Sequence, residues 1–234
     1  MKNAQPPDAT RRGTGERTNE EIYEKIFTSI FEHRLPPGTK LAEERLGAVF
    51  KVSRARIREV LSRLSHEQIV EIVPHRGAHV AKPTLEQARQ VFEARRVIEP
   101  SVVAALATAR DQNRVDLLRK HVLLETDARA ANDDRAVIRL SGEFHIVASE
   151  LAGNAFLARP MRELATLTCL TILLYGGATP DSCRLGEHDA IVGQIADGNA
   201  DGARRAVIDH LDAIEAGIDP HRETPEVDLE TILG

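Results

Sequence analysis

The stretch VSRARIREVLSRL, residues 52–64, decides the fold of the N-terminal part of the chain. Its apolar residues recur at the spacing of a helix with one buried face. These residues are Ile57, Val60, Leu61 and Leu64. Ser53 is a good N-cap for this helix, and Arg54, Arg56 and Arg58 then lie on or beside its outer face. The stretch therefore predicts an amphipathic helix with arginines clustered at its start.

Two helices are predicted before this one, and a hairpin after it. Asn19 is a candidate N-cap for a helix over EEIYEKIFTSIFEHRL, and LPPGTKL supplies a turn because two prolines and a glycine end the helix. A short amphipathic helix over AEERLGAVF follows. The segment IVEIVPHRGAHVAK alternates enough to predict a hairpin with PHRG at its tip. Three helices with a tight second-to-third connection, followed by a hairpin, make a winged helix-turn-helix.

The arginine cluster has a physical use in such a domain. The second helix of the pair enters the major groove by its N-terminal residues. Arginine pairs there with phosphate or forks onto O6 and N7 of guanine. His75 and Arg76, at the predicted tip of the wing, are placed to reach an adjacent groove or phosphate. Any one of these arginines alone is more often a solvated surface residue, but the combined pattern predicts double-stranded operator DNA as a partner.

Charge is divided unequally along the chain, whose formal net charge is −5. Residues 1–82 hold 15 Lys and Arg against 11 Asp and Glu, a net charge of +4. Residues 83–234 hold 16 against 25, a net charge of −9. The asymmetry indicates a part that faces nucleic acid, joined to an acidic part with another role. On charge alone, two unequally charged solvated surfaces remain the alternative.

The stretch RLPPGTKLAEERLGAVFKVSRARIREVLSRL and the RGAHV wing closely resemble the DNA-binding domain of the GntR family of bacterial transcription regulators. The familiar core of that family reads Ser-Arg-x-Pro-Val-Arg-Glu-Ala-Leu, and residues 53–61 here read SRARIREVL. The resemblance implies that Arg54 and Arg58 contact the operator and that Gly77 allows the wing to approach it closely. Arg56 stands where the proline is usual, so it is a further candidate DNA contact, and the operator preference stays open.

The remainder of the chain is predicted to be helical. Six helical segments cover residues 84–219, with Pro100 and Pro160 expected to kink or restart their helices. Short connections favour antiparallel neighbours, so an all-α bundle is expected. The predicted organisation is a disordered tail over 1–18, the winged helix-turn-helix over 19–82, an all-α effector-binding domain over 83–220 and a C-terminal tail over 221–234. The fold class is therefore mainly α.

Three histidines lie at or beside the apolar stripes of separate predicted helices. They are His145 in EFHIVASEL, His188 in GEHDAI and His210 in IDHLDAI. Imidazole is the commonest metal ligand, and three imidazoles from separate helices make a tetrahedral zinc site with one position open. From spacing alone, hydrogen-bonded core or surface histidines are the stronger alternative.

This half of the chain is similar to the FCD effector domain of the FadR-type branch of GntR regulators. Many members hold a metal with three histidines and an acid four residues before the first of them, and His145, His188 and His210 match the histidine positions. Position 141 is Ser and not an acid. The resemblance implies a divalent metal, zinc, nickel or manganese, whose fourth ligand comes from water or an anionic effector. Glu143 is two residues from His145 and points away from its face.

Arg95 in FEARRVIE matches the Arg-x-x-Leu-Glu pattern at the start of such domains. There the arginine faces the cavity and forks onto an acid, so Arg95 and Ser141 are predicted effector contacts. A plain i,i+4 salt bridge between Arg95 and Glu99 is an equal alternative.

Composition narrows the class of protein further. The chain is 42% hydrophobic and 29% charged, as in ordinary soluble globular proteins. Its two cysteines, Cys169 and Cys183, are not in a CxxC motif, which argues against a disulfide framework or a cysteine-based zinc site and fits a reducing cytoplasm. The polar N-terminus lacks the apolar core of a signal peptide, and no apolar run approaches the ~20 residues of a membrane span. A cytoplasmic protein with no membrane partner is expected.

The sequence as a whole predicts a homodimeric, ligand-responsive transcription regulator that acts as a repressor. A small metabolite with a carboxylate is expected to bind the helical pocket beside the metal, without an organic cofactor, and to alter operator binding. A metal-free regulator, whose histidines and Ser141 bond the effector directly, is one alternative. The other is a metal-dependent hydrolase fused to a DNA-binding domain, with Glu143 or Glu187 as its base. No catalytic residue is assigned, and the protein is not expected to be an enzyme.

Overall fold

The computed structural model describes residues 18–176 and 186–221. Over these residues the elements are α1 (Asn19–Phe31), α2 (Glu43–Phe50), α3 (Arg54–His66), β1 (Val70–Val73), β2 (Gly77–Val80), α4 (Leu85–Ala109), α5 (Gln112–Ala130), α6 (Asp134–Leu151), α7 (Ala155–Tyr175), α8 (Glu187–Ala196) and α9 (Ala200–Ala216). The mainly-α class is confirmed, with a winged helix-turn-helix before a helical bundle. No helix within the two described ranges is long and apolar enough to cross a membrane. The predicted tails lie outside those ranges, apart from Thr18 and His221, and so does Cys183.

The first helix is capped by the residue before the predicted cap. The Thr18 hydroxyl accepts a hydrogen bond from the N–H of Glu21 at 3.1 Å, and the Glu21 carboxylate accepts one from the N–H of Thr18 at 2.7 Å. This reciprocal pair is a capping box. Thr18 is therefore the N-cap and Asn19 the first helical residue, so the prediction of Asn19 as the cap was wrong.

The recognition helix and the wing form where the sequence predicts them. The Ser53 hydroxyl accepts from the N–H of Arg56 at 3.4 Å, which makes Ser53 the N-cap of α3. Strands β1 and β2 pair antiparallel with Val73 opposite Gly77, so Pro74, His75 and Arg76 lie in the turn and Gly77 begins β2. His75 and Gly77 have φ angles of 63° and 87°. The turn needs this left-handed backbone at both positions, and glycine adopts it without strain.

The C-terminal bundle is built around α4, which packs against α6, α7, α8 and α9. The six predicted helical segments correspond to α4–α9. Pro100 lies in the middle of α4 and Pro160 in the second turn of α7, and both helices continue past them. The expected restarts therefore do not occur. A proline removes one backbone hydrogen bond from the helix, and the packing of α4 on four other helices offsets that loss.

The two domains share a hydrophobic core. Phe27 and Phe31, from the C-terminal half of α1, lie in the same buried cluster as Ile146 of α6 and Leu170 of α7. The guanidinium carbon of Arg162, also on α7, lies 4.6 Å from the centre of the Phe27 ring. The DNA-binding domain is thus joined to the bundle by packing along α1, in addition to the chain connection into α4.

Gly142 of α6 is a point where α1 approaches the bundle closely. A Cβ atom at this position would lie 2.5 Å from Cζ of Phe31 and 2.9 Å from Sγ of Cys169, and both side chains are buried. We expect Gly142→Ala to lower the free energy of unfolding by about 1–3 kcal/mol, the usual cost of overpacking a core. Urea denaturation followed by circular dichroism measures this change.

Gly193→Ala is the matched control. Gly193 lies inside α8, and a Cβ atom there would meet no atom within 4 Å. Because glycine in a helix interior costs about 0.5–1 kcal/mol relative to alanine, this variant should gain stability. An equal loss of stability in both variants would contradict the close contact at Gly142.

Candidate functional site

The predicted DNA-contacting residues at the start of α3 lie at the surface. Arg54 and Arg58 are both exposed. The guanidinium of Arg58 forks onto the Glu43 carboxylate of α2, at 2.8 and 2.7 Å, and Arg54 lies 3.8 Å from the same carboxylate. The hydrogen bond from Arg58 lowers the pKa of Glu43 below its ordinary value. Arg58 thus shows the forked geometry with which arginine binds phosphate or guanine, here with the Glu43 carboxylate as its partner.

Arg56 has a different environment from its two neighbours. It is half-buried, and its Nε donates to Oδ1 of Asn19 at 2.9 Å. The side-chain amide of Asn19 in turn donates to Glu59 at 2.9 Å. Asn19 therefore connects the first turn of α1 to two residues of α3. At the wing, His75, Arg76 and Gly77 are all exposed.

The three predicted metal-binding histidines come together inside the bundle. His145 of α6, His188 of α8 and His210 of α9 are buried, and one potential ligand atom from each lies within 4.8 Å of the others. The apolar stripes that carry them pack α6, α8 and α9 around α4. The sequence predicted these residues, and the fold places them in one cluster.

Each histidine of the cluster is oriented by a carboxylate. Nδ1 of His145 is 2.7 Å from Glu99, Nδ1 of His188 is 2.8 Å from Glu125, and Nδ1 of His210 is 2.7 Å from Glu187. Metal-binding histidines commonly donate their second ring nitrogen to such a partner, which fixes the tautomer and the ring orientation. The sequence interpretation missed this role for all three acids. Glu187 was considered only as a base, and the histidine that it holds, His210, is 23 residues away along the chain.

The inner nitrogens of this cluster lie at a distance that suits a shared metal. Nε2 of His145 is 3.2 Å from Nε2 of His210. Each Nδ1 faces a carboxylate, which only accepts, so in neutral rings Nδ1 carries the proton and both Nε2 atoms present lone pairs. Two lone pairs repel at this distance, whereas two nitrogens on one tetrahedral zinc, bound at ~2.0–2.1 Å, are about 3.3 Å apart. The residues present therefore fit a metal ion.

Protonation does not remove that repulsion at His145. Burial lowers the pKa of this imidazole to about 3, although the Glu99 carboxylate acts in the opposite direction. Glu99 has its own pKa held far below its ordinary value: burial acts to raise it, and the charge of Arg95, together with the hydrogen bonds from His145 and Arg95, outweighs burial. His145 is thus a neutral ring beside an ionised carboxylate at neutral pH.

Ser141 supports the cluster indirectly. Its hydroxyl donates to Oε1 of Glu125 at 2.8 Å, while Oε2 of the same carboxylate faces His188. Arg129 also donates to Glu125, at 2.9 Å. Burial acts to raise the pKa of Glu125, but the hydrogen bonds from His188, Arg129 and Ser141 lower it to about 2. Ser141 therefore helps to hold the Glu125 carboxylate in place, although Ser141 has no carboxylate of its own.

A cavity of about 50 Å³ adjoins the cluster, and we call it the central cavity. The residues that line it include His33, Arg95, Ser141, His145, Cys169 and His210. Arg95 is 1% exposed, and it donates from Nε to Glu99 at 2.5 Å and from Nη1 to Thr168 at 3.0 Å. Its third nitrogen, Nη2, has no hydrogen-bond partner among the described residues. Arg95 thus pairs with Glu99 and also lines the cavity, and its contact with an effector stays a prediction.

Neither acid considered as a catalytic base is available for that role. Glu143 accepts a hydrogen bond from Arg139 at 2.8 Å and lies away from the cluster, as predicted. Glu187 is held by Nδ1 of His210. The hydrolase alternative therefore lacks a positioned base in the described part of the chain.

Known proteins share both parts of this architecture. The family model for bacterial regulatory proteins of the gntR family matches residues 18–80, and the FCD domain model matches residues 90–213. The HTH-type transcriptional repressor RspR of Escherichia coli K12 is 24% identical over 201 residues, which are 86% of this chain and 88% of RspR. The HTH-type transcriptional repressor NanR of Citrobacter rodentium is 27% identical over 233 residues, 86% of this chain and 85% of NanR. The structure of E. coli McbR/YncC is 16% identical, with a TM-score of 0.75 over 85% of this chain and 95% of that one, which shows a shared fold.

The acid dependence of stability tests the environment of His145. Because its pKa falls from 6.5 to about 3 on folding, the unfolded chain binds a proton below pH 6.5 that the folded chain does not. We expect the free energy of unfolding to fall between pH 6.5 and about pH 4, with His145 contributing up to about 1.4 kcal/mol per pH unit. Urea denaturation in the presence of EDTA measures this slope.

The variant His145→Gln lacks the titrating ring and should show a shallower slope over the same pH range. The difference should correspond to roughly one proton. Identical slopes for the two proteins would mean that His145 is not the buried neutral group described here.

Proposed function

Because the chain belongs to the GntR family of bacterial regulatory proteins and carries an FCD domain, we propose that it is a metal-binding repressor that responds to a small carboxylate. The chain is a DNA-binding transcription regulator and not an enzyme. The proposal adds the metal, the chemistry of the effector and the direction of regulation. One observation carries it: His145, His210 and Arg95 line the same cavity, and Nη2 of Arg95 has no hydrogen-bond partner among the described residues.

The metal would be held by Nε2 of His145, His188 and His210. Three neutral imidazoles suit zinc, and they also accept nickel or manganese, so availability decides among these ions. Each ring is fixed at Nδ1 by a carboxylate, from Glu99, Glu125 or Glu187. With three protein ligands, a bound metal supplies an open position for an anionic oxygen.

The effector's carboxylate would be recognised by Arg95. The unpartnered Nη2 of this buried guanidinium needs an acceptor, because a buried polar group without one is unfavourable. A carboxylate is the acceptor that arginine binds best. Its second oxygen would take the open position on the metal. Ser141 lines the same cavity, but its hydroxyl already donates to Glu125, so it would contact an effector as an acceptor.

Operator binding would use the exposed start of α3 and the wing. Arg54 and Arg58 would exchange Glu43 for phosphate or guanine, and His75 and Arg76 would reach the neighbouring backbone. A homodimer would place two such surfaces on a two-fold symmetric operator. The relatives RspR and NanR are both described as repressors, which favours repression relieved by the effector.

A regulator without metal remains the alternative for the pocket. In that case the two facing Nε2 atoms would need a proton between them, which places a buried imidazolium beside His145. A metal ion bound by both Nε2 atoms accounts for their separation of 3.2 Å without a buried charged ring. We therefore favour the metal-binding regulator.

The metal content of the purified protein distinguishes the metal-binding regulator from the metal-free one. Elemental analysis of protein purified without a histidine tag or chelator should give about one metal ion per chain, and His145→Ala should lose it. His121→Ala is the matched control, because His121 is a buried histidine of the same domain whose Nε2 bonds the Leu140 carbonyl outside the cluster. No metal in the unmodified protein, even after incubation with zinc, would overturn the metal site while leaving the DNA-binding role.

Operator contact by Arg58 is tested by substitution. DNA ligands selected by the protein from a random pool supply the operator, and a gel-shift titration at fixed salt measures affinity. Arg58→Ala should weaken binding roughly tenfold or more, since a forked arginine contact contributes about 1–3 kcal/mol. Arg119→Ala, at an exposed arginine of α5, should bind like the parent. Equal affinity for parent and Arg58→Ala would remove Arg58 from the interface.

A further inference from the structure

The central cavity has a wall that comes from the DNA-binding domain. His33 follows α1 in the chain and lines the same cavity as Arg95, His145 and His210. Its Nε2 is 3.0 Å from the carbonyl oxygen of Cys169 on α7. No other residue of the winged helix-turn-helix lines this cavity among the described residues. The two domains therefore meet at the cavity itself.

His33 occupies a backbone position that favours glycine. Its φ is 57°, in the left-handed region, and the N–H of Leu35 donates to the carbonyl of Ser29 at 2.9 Å, closing the end of α1. Helices commonly end this way with glycine at the left-handed residue. A side chain with a Cβ atom costs about 1–2 kcal/mol in that conformation.

The ring of His33 is neutral and makes one hydrogen bond among the described residues. A carbonyl oxygen only accepts, so Nε2 donates to Cys169 and Nδ1 is left as an acceptor. Burial lowers the pKa of His33 to about 4, which keeps the ring neutral near pH 7. The bond to Cys169 is the one hydrogen bond that its side chain makes within the described residues.

The cavity is too small for a metabolite unless a wall moves. It measures about 50 Å³, whereas sites for small-molecule ligands usually measure about 300–1,000 Å³. Arg95 and His145 share the Glu99 carboxylate and are fixed by it on the bundle side. His33 lies on the opposite side of the domain boundary, and only one hydrogen bond must break for its ring to leave.

We propose that His33 closes the central cavity and is the residue of the DNA-binding domain that an entering carboxylate effector displaces. This inference rests on the proposed function, since it takes the cavity to be the effector site. A ligand that requires the displaced arrangement binds it in preference to the closed one, and that difference in affinity is the source of the coupling between the sites.

Helix α1 would carry the displacement to the DNA surface. His33 follows its C-terminal end, while Asn19 at its N-terminal end bonds Arg56 and Glu59 of the recognition helix. The 13 residues of α1 form a rod of about 20 Å, and its buried face packs on α3. Displacement at the cavity would therefore move one rigid element that contacts both sites, within a single chain.

The first test asks whether His33 closes the cavity, and it needs neither the effector nor DNA. Cys169 carries a buried thiol that lines the cavity, so its reaction with methyl methanethiosulfonate reports opening. In a Cys183→Ser background, His33→Gly should raise the reaction rate of Cys169 roughly tenfold or more. A buried thiol reacts only when the structure around it opens, so the rate of reaction follows the frequency of local opening. His33→Asn, which tolerates the left-handed backbone, should raise it as well.

His75→Gly is the matched control, since His75 has a φ of 63° and is exposed on the wing. This variant should react at the parent rate. Equal rates for His33→Gly and His75→Gly, with melting temperatures unchanged, would overturn the proposal that His33 closes the cavity.

The second test fills the cavity with the methylthio group that the same reagent leaves on Cys169. Modified protein, verified by mass spectrometry, should bind the selected operator roughly tenfold more weakly than unmodified protein, and the change should shrink to less than about threefold in His33→Gly. An equal change in both proteins, or none in the parent, would overturn transmission through His33. Failure of the parent to select any DNA would instead contradict the proposed function, and the reaction rates would still decide the role of His33.

Discussion

The buried carboxylate of Glu99 is the group on which the rest of the effector domain depends. One of its oxygens accepts from Arg95 and the other from His145, and all three residues are at most 5% exposed. A buried charge is tolerated only when it is paired and hydrogen-bonded, so these three side chains hold one another in a single arrangement. Glu99 thereby orients the imidazole of His145 and the guanidinium of Arg95 at neighbouring points of one cavity, where the proposed function assigns them a metal and an anion.

This network lies next to the boundary between the DNA-binding domain and the bundle. The side chain of Phe31 packs on α6 at Gly142, where a single added methyl group would collide with it. His33 then reaches the cavity from the same end of α1. Because protein interiors are densely packed and do not deform smoothly, a ligand that enlarges the cavity must shift a whole element. The element next to the cavity is α1, because His33 follows its C-terminal end. Helix α1 also contacts the recognition helix α3.

The sequence predicted the elements well because their signals are local. The period of apolar residues set α3 and the six bundle helices, and Ser53 marked the start of α3. The cap of α1 was missed by one residue although Thr18 and Glu21 have capping-box spacing, since Asn19 is also a residue type that caps helices. Glu125 and His33 could not be predicted, because their roles depend on partners 63 and 136 residues away along the chain. For Arg95, the sequence offered a salt bridge with Glu99 or a contact with an effector; the structure shows the salt bridge and places Arg95 at the cavity as well.

The central claim is that three histidine nitrogens, each fixed by a carboxylate, bind one metal ion. X-ray absorption spectroscopy at the zinc edge, on protein loaded with one equivalent of zinc, tests it most directly. The account predicts about three imidazole nitrogens and one oxygen at about 2.0–2.1 Å. A shell made of oxygen alone, or one containing sulfur, would place the zinc elsewhere and contradict the account.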